Sequence, residues 1–265
     1  MTERQSEVTH LPVWHYAGDI VGVEFWVDPE VIAPTLPNDV QLDPSSIGHA
    51  VALFGDWQFV REPGEPFYRT HGEYREFVML IDAFWHGMPV SYCPDPCHYI
   101  DGNSVLVGVD RHDHPLACPV VHLTRAFAAP GKASSLVEPG GQFSAMLSLA
   151  GQRFVEADIQ LSAPATNLAA WIGRPKLMSM RYPSTPTLNH RSRPWSELFL
   201  LTHDHQRFEQ AWTGSGELLF PIGTGEELAW LTPVKVGAGF RASWSYAASE
   251  LTAAAIQEPF LSWSV

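Results

Sequence analysis

Residues 21–37, VGVEFWVDPEVIAPTLP, predict a strand that runs directly into a short helix. The run IVGVEFW (20–26) is apolar and rich in β-branched and aromatic residues, which favour strands. Asp28 can accept hydrogen bonds from the free backbone N–H groups that open a helix, and Pro29 suits its first position. The helix should end near Pro37, because proline removes a helical hydrogen bond.

The same pattern of short apolar, aromatic-rich segments separated by Gly, Pro and Asp continues along the chain. Further strands are predicted over 50–60, 74–85, 89–93, 119–127, 175–183, 207–214 and 239–247. QFSAMLSLAGQRFVEADIQL (142–161) predicts a hairpin that turns near Gly151, because polar and apolar residues alternate along its second half. The segment 103–110 fits a strand or a short helix.

Helical segments are few. One or two turns are expected over 167–172, and residues 249–251 could start an alanine-rich C-terminal helix. The sequence therefore predicts the α+β class, mainly antiparallel β. We expect one domain over residues 1–265, with residues 1–18 as an extended N-terminal arm.

The charge balance excludes several classes of partner. The 265 residues include 29 acidic and 16 basic residues, which gives a formal net charge of -13. No nucleic-acid or membrane partner is expected, because both require a basic face. We predict a cytoplasmic location, since the N-terminus lacks an apolar signal region and three cysteines make a poor disulfide framework.

Several stretches, in order, resemble the acetoacetate decarboxylase family. Residues 21–37 resemble its early strand and helix, and YREF (74–77) resembles its Tyr-x-Glu strand. Residues 100–115 resemble its Asp-rich turn with the following Gly-Arg-Glu and Gly-Phe-Pro-Lys segment, and 151–161 and 231–246 resemble later strands. The resemblance implies a conical or barrel-like sheet with peripheral helices, assembled into homo-oligomers. It also implies a site inside the cone, where a lysine forms an imine with a β-keto acid.

The family's catalytic lysine is missing from this sequence. Placing Gly108 on the family's glycine and Pro115 on its proline puts Leu116 at the imine lysine and Ala117 at its neighbour. Neither side chain can form an imine, so the reaction is expected to proceed without one.

The chain contains three lysines, Lys132, Lys176 and Lys235. Lys132 follows Pro-Gly and is expected in a loop. Lys176 and Lys235 lie in strand-like segments, where a lysine usually reaches the surface with its charged end. A relocated imine lysine at one of these two positions is the alternative.

Glu76 is the predicted acid/base residue, because a carboxylate on an apolar strand that faces a closed interior is desolvated. Tyr74 and His114 would orient or protonate an enolate oxygen, and Arg111 would pair with a carboxylate. The predicted substrate-binding residues are Arg111, His112, Leu116, Tyr92 and Trp85. The two aromatic residues among them would otherwise belong to the core.

Metal ligation is an alternative role for His112 and His114, since two histidines at i and i+2 share one face of a strand. The metal-free interpretation is favoured, and no metal or cofactor is predicted. Cys93 and Cys97 are interpreted as structural. The segment 203–205, His-Asp-His, is expected on a surface loop.

These observations predict an acetoacetate decarboxylase-like enzyme of lyase type that acts on a small keto or carboxylated molecule, in secondary metabolism. Decarboxylation, dehydration, an aldol-type reaction and cyclisation all remain open. The alternatives are a non-catalytic binding protein on the same fold and a metal-dependent lyase.

Overall fold

The computed structural model describes residues 13–61, 71–94, 98–101, 119–127, 131–149, 151–181, 196–221, 230–248 and 251–257. Fourteen strands in these ranges form one sheet. The strands are β1 (Trp14–Trp26), β2 (Val40–Leu42), β3 (His49–Arg61), β4 (His71–Trp85), β5 (Met88–Cys93), β6 (His98–Asp101), β7 (Pro119–Leu123), β8 (Gln142–Leu149), β9 (Gln152–Pro164), β10 (Lys176–Arg181), β11 (Ser196–Leu201), β12 (Asp204–Leu219), β13 (Lys235–Ala248) and β14 (Leu251–Gln257).

Two short helices lie outside the strands. Helix α1 (Pro29–Ile32) begins at Asp28, whose carboxylate accepts a hydrogen bond from the Glu30 backbone N–H at 2.9 Å. A 3-10 turn (Ala33–Thr35) follows it. Helix α2 (Leu168–Ile172) follows β9. No helix in the described parts of the chain is long and apolar enough to cross a membrane.

The strand order is β14-β11-β10-β5-β4-β3-β1-β13-β12-β9-β8-β7, with β2 and β6 paired to β4 outside this path. β10 and β5 are parallel, and the other pairings among the described strands are antiparallel. The prediction of a mainly antiparallel sheet is therefore confirmed.

The connections show that the sheet is strongly curled. Six strands separate β11 from β12 in the sheet, yet only Thr202 and His203 join them in the chain. In a flat sheet these strands would be roughly 30 Å or more apart, whereas such a link spans at most about 11 Å. Curling is the only way to meet both conditions. The expected conical or barrel-like arrangement is thus present, although no described pairing joins β14 to β7.

Alternation along the strands gives the sheet two faces with different cores. One face, which we call the apolar face, carries Phe54 and Phe77 and packs against Phe143 and Leu147 of β8. The opposite face, which we call the polar face, carries a second cluster that includes Trp57, Leu80, Phe240, Trp244 and Ile172. The buried polar residues on the strands of the polar face are His49, Glu76, Asp82, Ser91 and Lys176.

The chain ends differ from the sequence-based expectation. Residues 14–18, expected in an N-terminal arm, lie within β1 and pair with β3 and β13. The predicted C-terminal helix is wrong, because residues 251–257 form β14 and pair with β11. Pairing with the open edge of β11 satisfies the backbone of this alanine-rich segment and outweighs its modest helix preference.

Candidate active site

Glu76 lies on the polar face of β4 with 6% of its surface exposed. The indole Nε1 of Trp57 donates a hydrogen bond to its Oε2 at 2.9 Å. Trp57 is fully buried on the neighbouring strand β3. A carboxylate removed from water and held by a fixed donor is suited to proton transfer.

Glycines on the polar face make room for this contact. Gly55 pairs with Glu76 across β3 and β4, and a Cβ atom on Gly55 would overlap the Trp57 indole nitrogen. A Cβ on Gly18 of β1 would come within 2.7 Å of the same indole ring. The missing side chains therefore let the indole lie flat along the sheet and reach the carboxylate.

Three tyrosines surround Glu76. Tyr16 and Tyr246 stack with ring centroids 5.0 Å apart, and Tyr246 meets Trp57 edge-on at 5.7 Å. Burial, and next the charge of Glu76, raise the pKa of Tyr16 to about 12. The same two causes raise the pKa of Tyr74 and of Tyr246 well above 10. All three phenols therefore keep their protons at neutral pH and can donate hydrogen bonds.

A cleft of about 750 Å³ lies at this end of the sheet, and its lining includes Tyr16 and Tyr246 of the polar face. Residues that alternation places on the other face, such as His15 and Gln58, also line it, together with Arg207 of β12. Glu76 is not part of this lining, and the cleft provides space for a small molecule beside two of the three tyrosines around Glu76.

Lys176 on β10 and His203 on the β11–β12 link approach the tyrosines and Trp244 from the other side of the curled sheet. Lys176 is 3% exposed, and its Nζ lies 5.4 Å from the centroid of the Trp244 ring. His203 is 8% exposed, and its ring lies 4.6 Å from Tyr246 and 5.2 Å from Trp244. Burial, and next the charge of Lys176, lower the pKa of His203 to about 3, so its imidazole is neutral.

Both residues correct the sequence analysis. Lys176 was expected at the surface and is buried, and His203 was expected in a surface loop and packs between two aromatic rings. The curl explains both positions. β10 faces β13 across the interior, and the short β11–β12 link carries His203 into the same space.

Unpartnered polar atoms concentrate around Lys176. Among the described residues, the buried polar atoms of this region that lack a hydrogen-bond partner are Ser91 Oγ, Gln206 Oε1, Trp244 Nε1 and both ring nitrogens of His203; Trp85 Nε1, on the apolar face, is another such atom but lies outside this region. A backbone group of Arg174 lies close enough to His203 to affect its pKa, but it does not meet the geometry of a hydrogen bond. Each such group costs about 1–3 kcal/mol, so their clustering calls for a ligand or water in this place.

A separate polar network lies at the other end of the same face. His49 is hydrogen-bonded through Nδ1 to Asp82 at 2.9 Å and through Nε2 to Glu24 at 3.2 Å. Arg174 pairs with Asp43 at 2.7 Å and lies 3.6 Å from Asp82. Burial alone would lower the pKa of His49, but the carboxylates of Asp82 and Glu24 outweigh this effect and raise the pKa to about 9. Since these groups satisfy one another, we assign this network to structure.

The predicted site residues fall into three groups. Glu76 and Tyr74 lie together on the polar face. Tyr92 and Trp85 pack with the cluster of the apolar face, because their register on β5 and β4 turns them away from Glu76. Four predicted residues lie outside the described residues, namely Arg111, His112, His114 and Leu116, and so do Ala117 and Cys97.

Among the described residues, no group of three or more His, Cys, Asp or Glu side chains could hold a metal ion.

Tyr16, Trp57 and Tyr246 are site residues that were not predicted from the sequence. One usable signal was present, since glycines inside strands often mark a close approach by another group. Gly18 and Gly55 on neighbouring strands point to the position of Trp57.

Comparison with solved structures shows which known proteins have a similar fold. The enduracididine biosynthesis enzyme MppR, solved with the condensation product of pyruvate and imidazole 4-carboxaldehyde, is 27% identical with a TM-score of 0.77, covering 94% of this chain and 92% of that one. MppR has also been solved with pyruvate.

Two further structures share the fold. An acetoacetate decarboxylase-like enzyme from Sphingomonas wittichii RW1 is 16% identical with a TM-score of 0.74, covering 93% of this chain and 94% of that one. Acetoacetate decarboxylase from Legionella pneumophila is 14% identical with a TM-score of 0.66, covering 97% and 92%. No protein-family model matches the sequence, and a search of curated proteins gave no match. The chain therefore has the fold of the acetoacetate decarboxylases, as the resemblance implied.

Proposed function

We propose that this chain is a lyase-type enzyme that makes or breaks a carbon–carbon bond beside the keto group of a small α-keto acid. Glu76 is the acid/base residue. The observation that carries the proposal is the buried Glu76 carboxylate, which accepts a hydrogen bond from Trp57 and lies among three protonated tyrosines, of which Tyr16 and Tyr246 line a cleft.

The substrate class is supported by MppR, which has been solved with pyruvate and with the condensation product of pyruvate and an aldehyde, imidazole 4-carboxaldehyde. The aldol-type reaction is therefore the best supported of the four reactions left open by the sequence. A role in secondary metabolism is consistent with the same likeness, because MppR is a biosynthesis enzyme.

The chemistry follows from the charges at the site. Glu76 removes a proton from the carbon next to the keto group, and the electron pair moves onto the keto oxygen as an enolate. A neutral tyrosine hydroxyl, from Tyr74, Tyr246 or Tyr16, donates a hydrogen bond to that oxygen. The enolate carbon then attacks the carbonyl carbon of an aldehyde, and Glu76 can return its proton to the new alkoxide or to a leaving hydroxide. No lysine imine is needed.

The test is the exchange of the methyl protons of pyruvate for deuterium in D₂O, followed by NMR. We expect the wild-type protein to catalyse exchange and Glu76→Gln to lower its rate by roughly 100-fold or more, as for loss of a general base. Glu217→Gln is the matched control, because Glu217 is an exposed strand carboxylate on β12. Exchange at the wild-type rate in Glu76→Gln would remove the assigned role. Pyruvate binding without exchange in the wild type would instead support the non-catalytic binding protein.

Homo-oligomeric assembly is part of the proposal, on the strength of the resemblance to the family. Light scattering on the purified protein would measure the particle mass, and a monomer would contradict this part alone. The cytoplasmic location also stays a prediction.

A further inference from the structure

We infer that Lys176, His203, Ser91 and Trp244 form a subsite that binds the carboxylate of the substrate as an ion pair. The inference rests on the proposed function, because it assigns the acid group of the α-keto acid to a second place on the polar face. It also replaces the missing cationic residues of the family pattern with groups that the fold brings together from four separate elements.

The chemistry of the unpartnered groups fits an anion. A lysine ammonium has three N–H donors, a neutral imidazole has one, and the Ser91 hydroxyl and the Trp244 indole each add one. All of these groups lack hydrogen-bond partners among the described residues. Acceptors are scarce, since Gln206 Oε1 and the second imidazole nitrogen are the unpartnered ones in this place. A donor-rich set is complementary to carboxylate oxygens.

The positive charge of Lys176 also favours binding of an anion at this position. No ion pair or hydrogen bond joins its ammonium to another described side chain, and the ammonium lies over the face of Trp244. Asp82 is the carboxylate nearest along the strand register, through Ser91, but it is already bonded to His49 and Arg174. A buried cation without a counter-ion is unfavourable until an anion binds beside it.

The position of the subsite relative to Glu76 also fits an α-keto acid. The His203 ring lies 4.6 Å from Tyr246, and the charge of Glu76 acts on both of these residues. The Lys176 ammonium lies 5.4 Å from the centroid of Trp244, and the Trp244 ring lies 4.9 Å from Tyr246. In the proposed binding mode, the keto group next to the bound carboxylate is directed toward Tyr246, whose hydroxyl is the proposed partner of the enolate oxygen.

The experiment measures binding rather than turnover. Isothermal titration calorimetry would compare pyruvate with pyruvamide, its neutral amide, on the wild type, Lys176→Met and Lys235→Met. Lys235 is the matched control, because it is an exposed strand lysine that also lies over a tryptophan ring, with its Nζ 4.0 Å from the centroid of Trp26. We expect the wild type and Lys235→Met to prefer pyruvate, and Lys176→Met to bind pyruvate roughly 10- to 100-fold more weakly.

Ser91→Ala is a second variant that removes a single donor and little volume, and it should weaken pyruvate binding several-fold. The inference is overturned if Lys176→Met keeps the wild-type affinity, or if the wild type binds pyruvate no better than pyruvamide. It is also overturned if borohydride reduction in the presence of pyruvate adds mass to the peptide that contains Lys176, because the contact is then a covalent imine.

The two proposals fail separately. Glu76→Gln should lose deuterium exchange and keep its affinity for pyruvate. If the wild type binds pyruvate through Lys176 but catalyses no exchange, the proposed function fails and the carboxylate subsite stands. If exchange depends on Glu76 but Lys176→Met binds normally, only the subsite fails.

Discussion

At the scale of single residues, the site depends on two glycines, which have no side chain, as much as on the side chains that line it. Trp57 can bond Glu76 only because Gly55 and Gly18 leave space along the sheet for the indole ring. The interaction joins two neighbouring strands and fixes the carboxylate in one orientation. A small added group at Gly55 should therefore be enough to disturb both the packing and the chemistry.

We predict that Gly55→Ala destabilises the protein and lowers the exchange rate. The added methyl group would overlap the Trp57 indole nitrogen, and overpacking of this kind costs about 1–3 kcal/mol. Urea denaturation would measure the loss of stability, and NMR the loss of deuterium exchange with pyruvate. Gly131→Ala is the control, because a Cβ atom at Gly131 meets nothing within 4 Å. Equal behaviour of the two variants would contradict the role given to Gly55.

Single residues also show how far the sequence could predict the site. Glu76 could be predicted, since it is an acid on an apolar strand and it matches the family's Tyr-x-Glu pattern. Lys176 and His203 could not be predicted, because their burial depends on strands that meet only when the sheet curls. Local polarity placed His203 at the surface, and tertiary packing against Trp244 and Tyr246 overrides it.

At the scale of elements, the polar network of Glu24, His49 and Asp82 ties β1, β3 and β4 together. The pKa of His49 is about 9, above its ordinary value of 6.5. A group whose pKa is raised on folding stabilises the folded state fully below the unfolded pKa and loses this effect as the pH rises through the folded pKa. The contribution of His49 is therefore complete below pH 6.5 and declines up to and beyond pH 9.

We predict that the free energy of unfolding falls by on the order of 1–3 kcal/mol between pH 6.5 and 9.5 because of this one residue. Chemical denaturation across this range would show the decline in the wild type. His49→Gln should be less stable at pH 6.5 and should show a flatter profile, since glutamine does not titrate. Parallel profiles for the two proteins would mean that His49 is not the group responsible.

The elements also differ in how well local sequence determines them. Helix α1 could be predicted because Asp28 and Pro29 are strong local signals, and the Asp28 cap is present as expected. The turn between β8 and β9 at Gly151, with φ +79°, could be predicted for the same reason. β14 could not, because its partner β11 is more than fifty residues away in the chain, and alanine-rich segments favour a helix only where no such partner is offered.

At the scale of the whole molecule, the site exists because two-residue connections join strands that lie six strands apart in the sheet. The β11–β12 link brings His203 and Lys176 against Trp244 and Tyr246 of β13. Sequence patterns predict strands and their faces, but they do not predict which distant strands a short link will bring together. The curl could therefore be predicted from the resemblance to a family, but not from the strand pattern.

We predict that lengthening the β11–β12 link weakens substrate binding far more than it weakens the fold. Inserting a flexible Gly-Ser tetrapeptide between Thr202 and His203 triples the length of the two-residue link, which costs only about 1 kcal/mol of loop entropy, because this cost grows with the logarithm of loop length. The insertion frees His203 from its packing against Trp244 and Tyr246, however, and so removes a hydrogen-bond donor from the proposed subsite, which should weaken pyruvate binding several-fold. The same insertion after Gly151, in the exposed β8–β9 turn, is the control. Calorimetry with pyruvate and thermal unfolding would be compared for both proteins, and an equal loss of affinity in the two would show that the short link does not hold the site together.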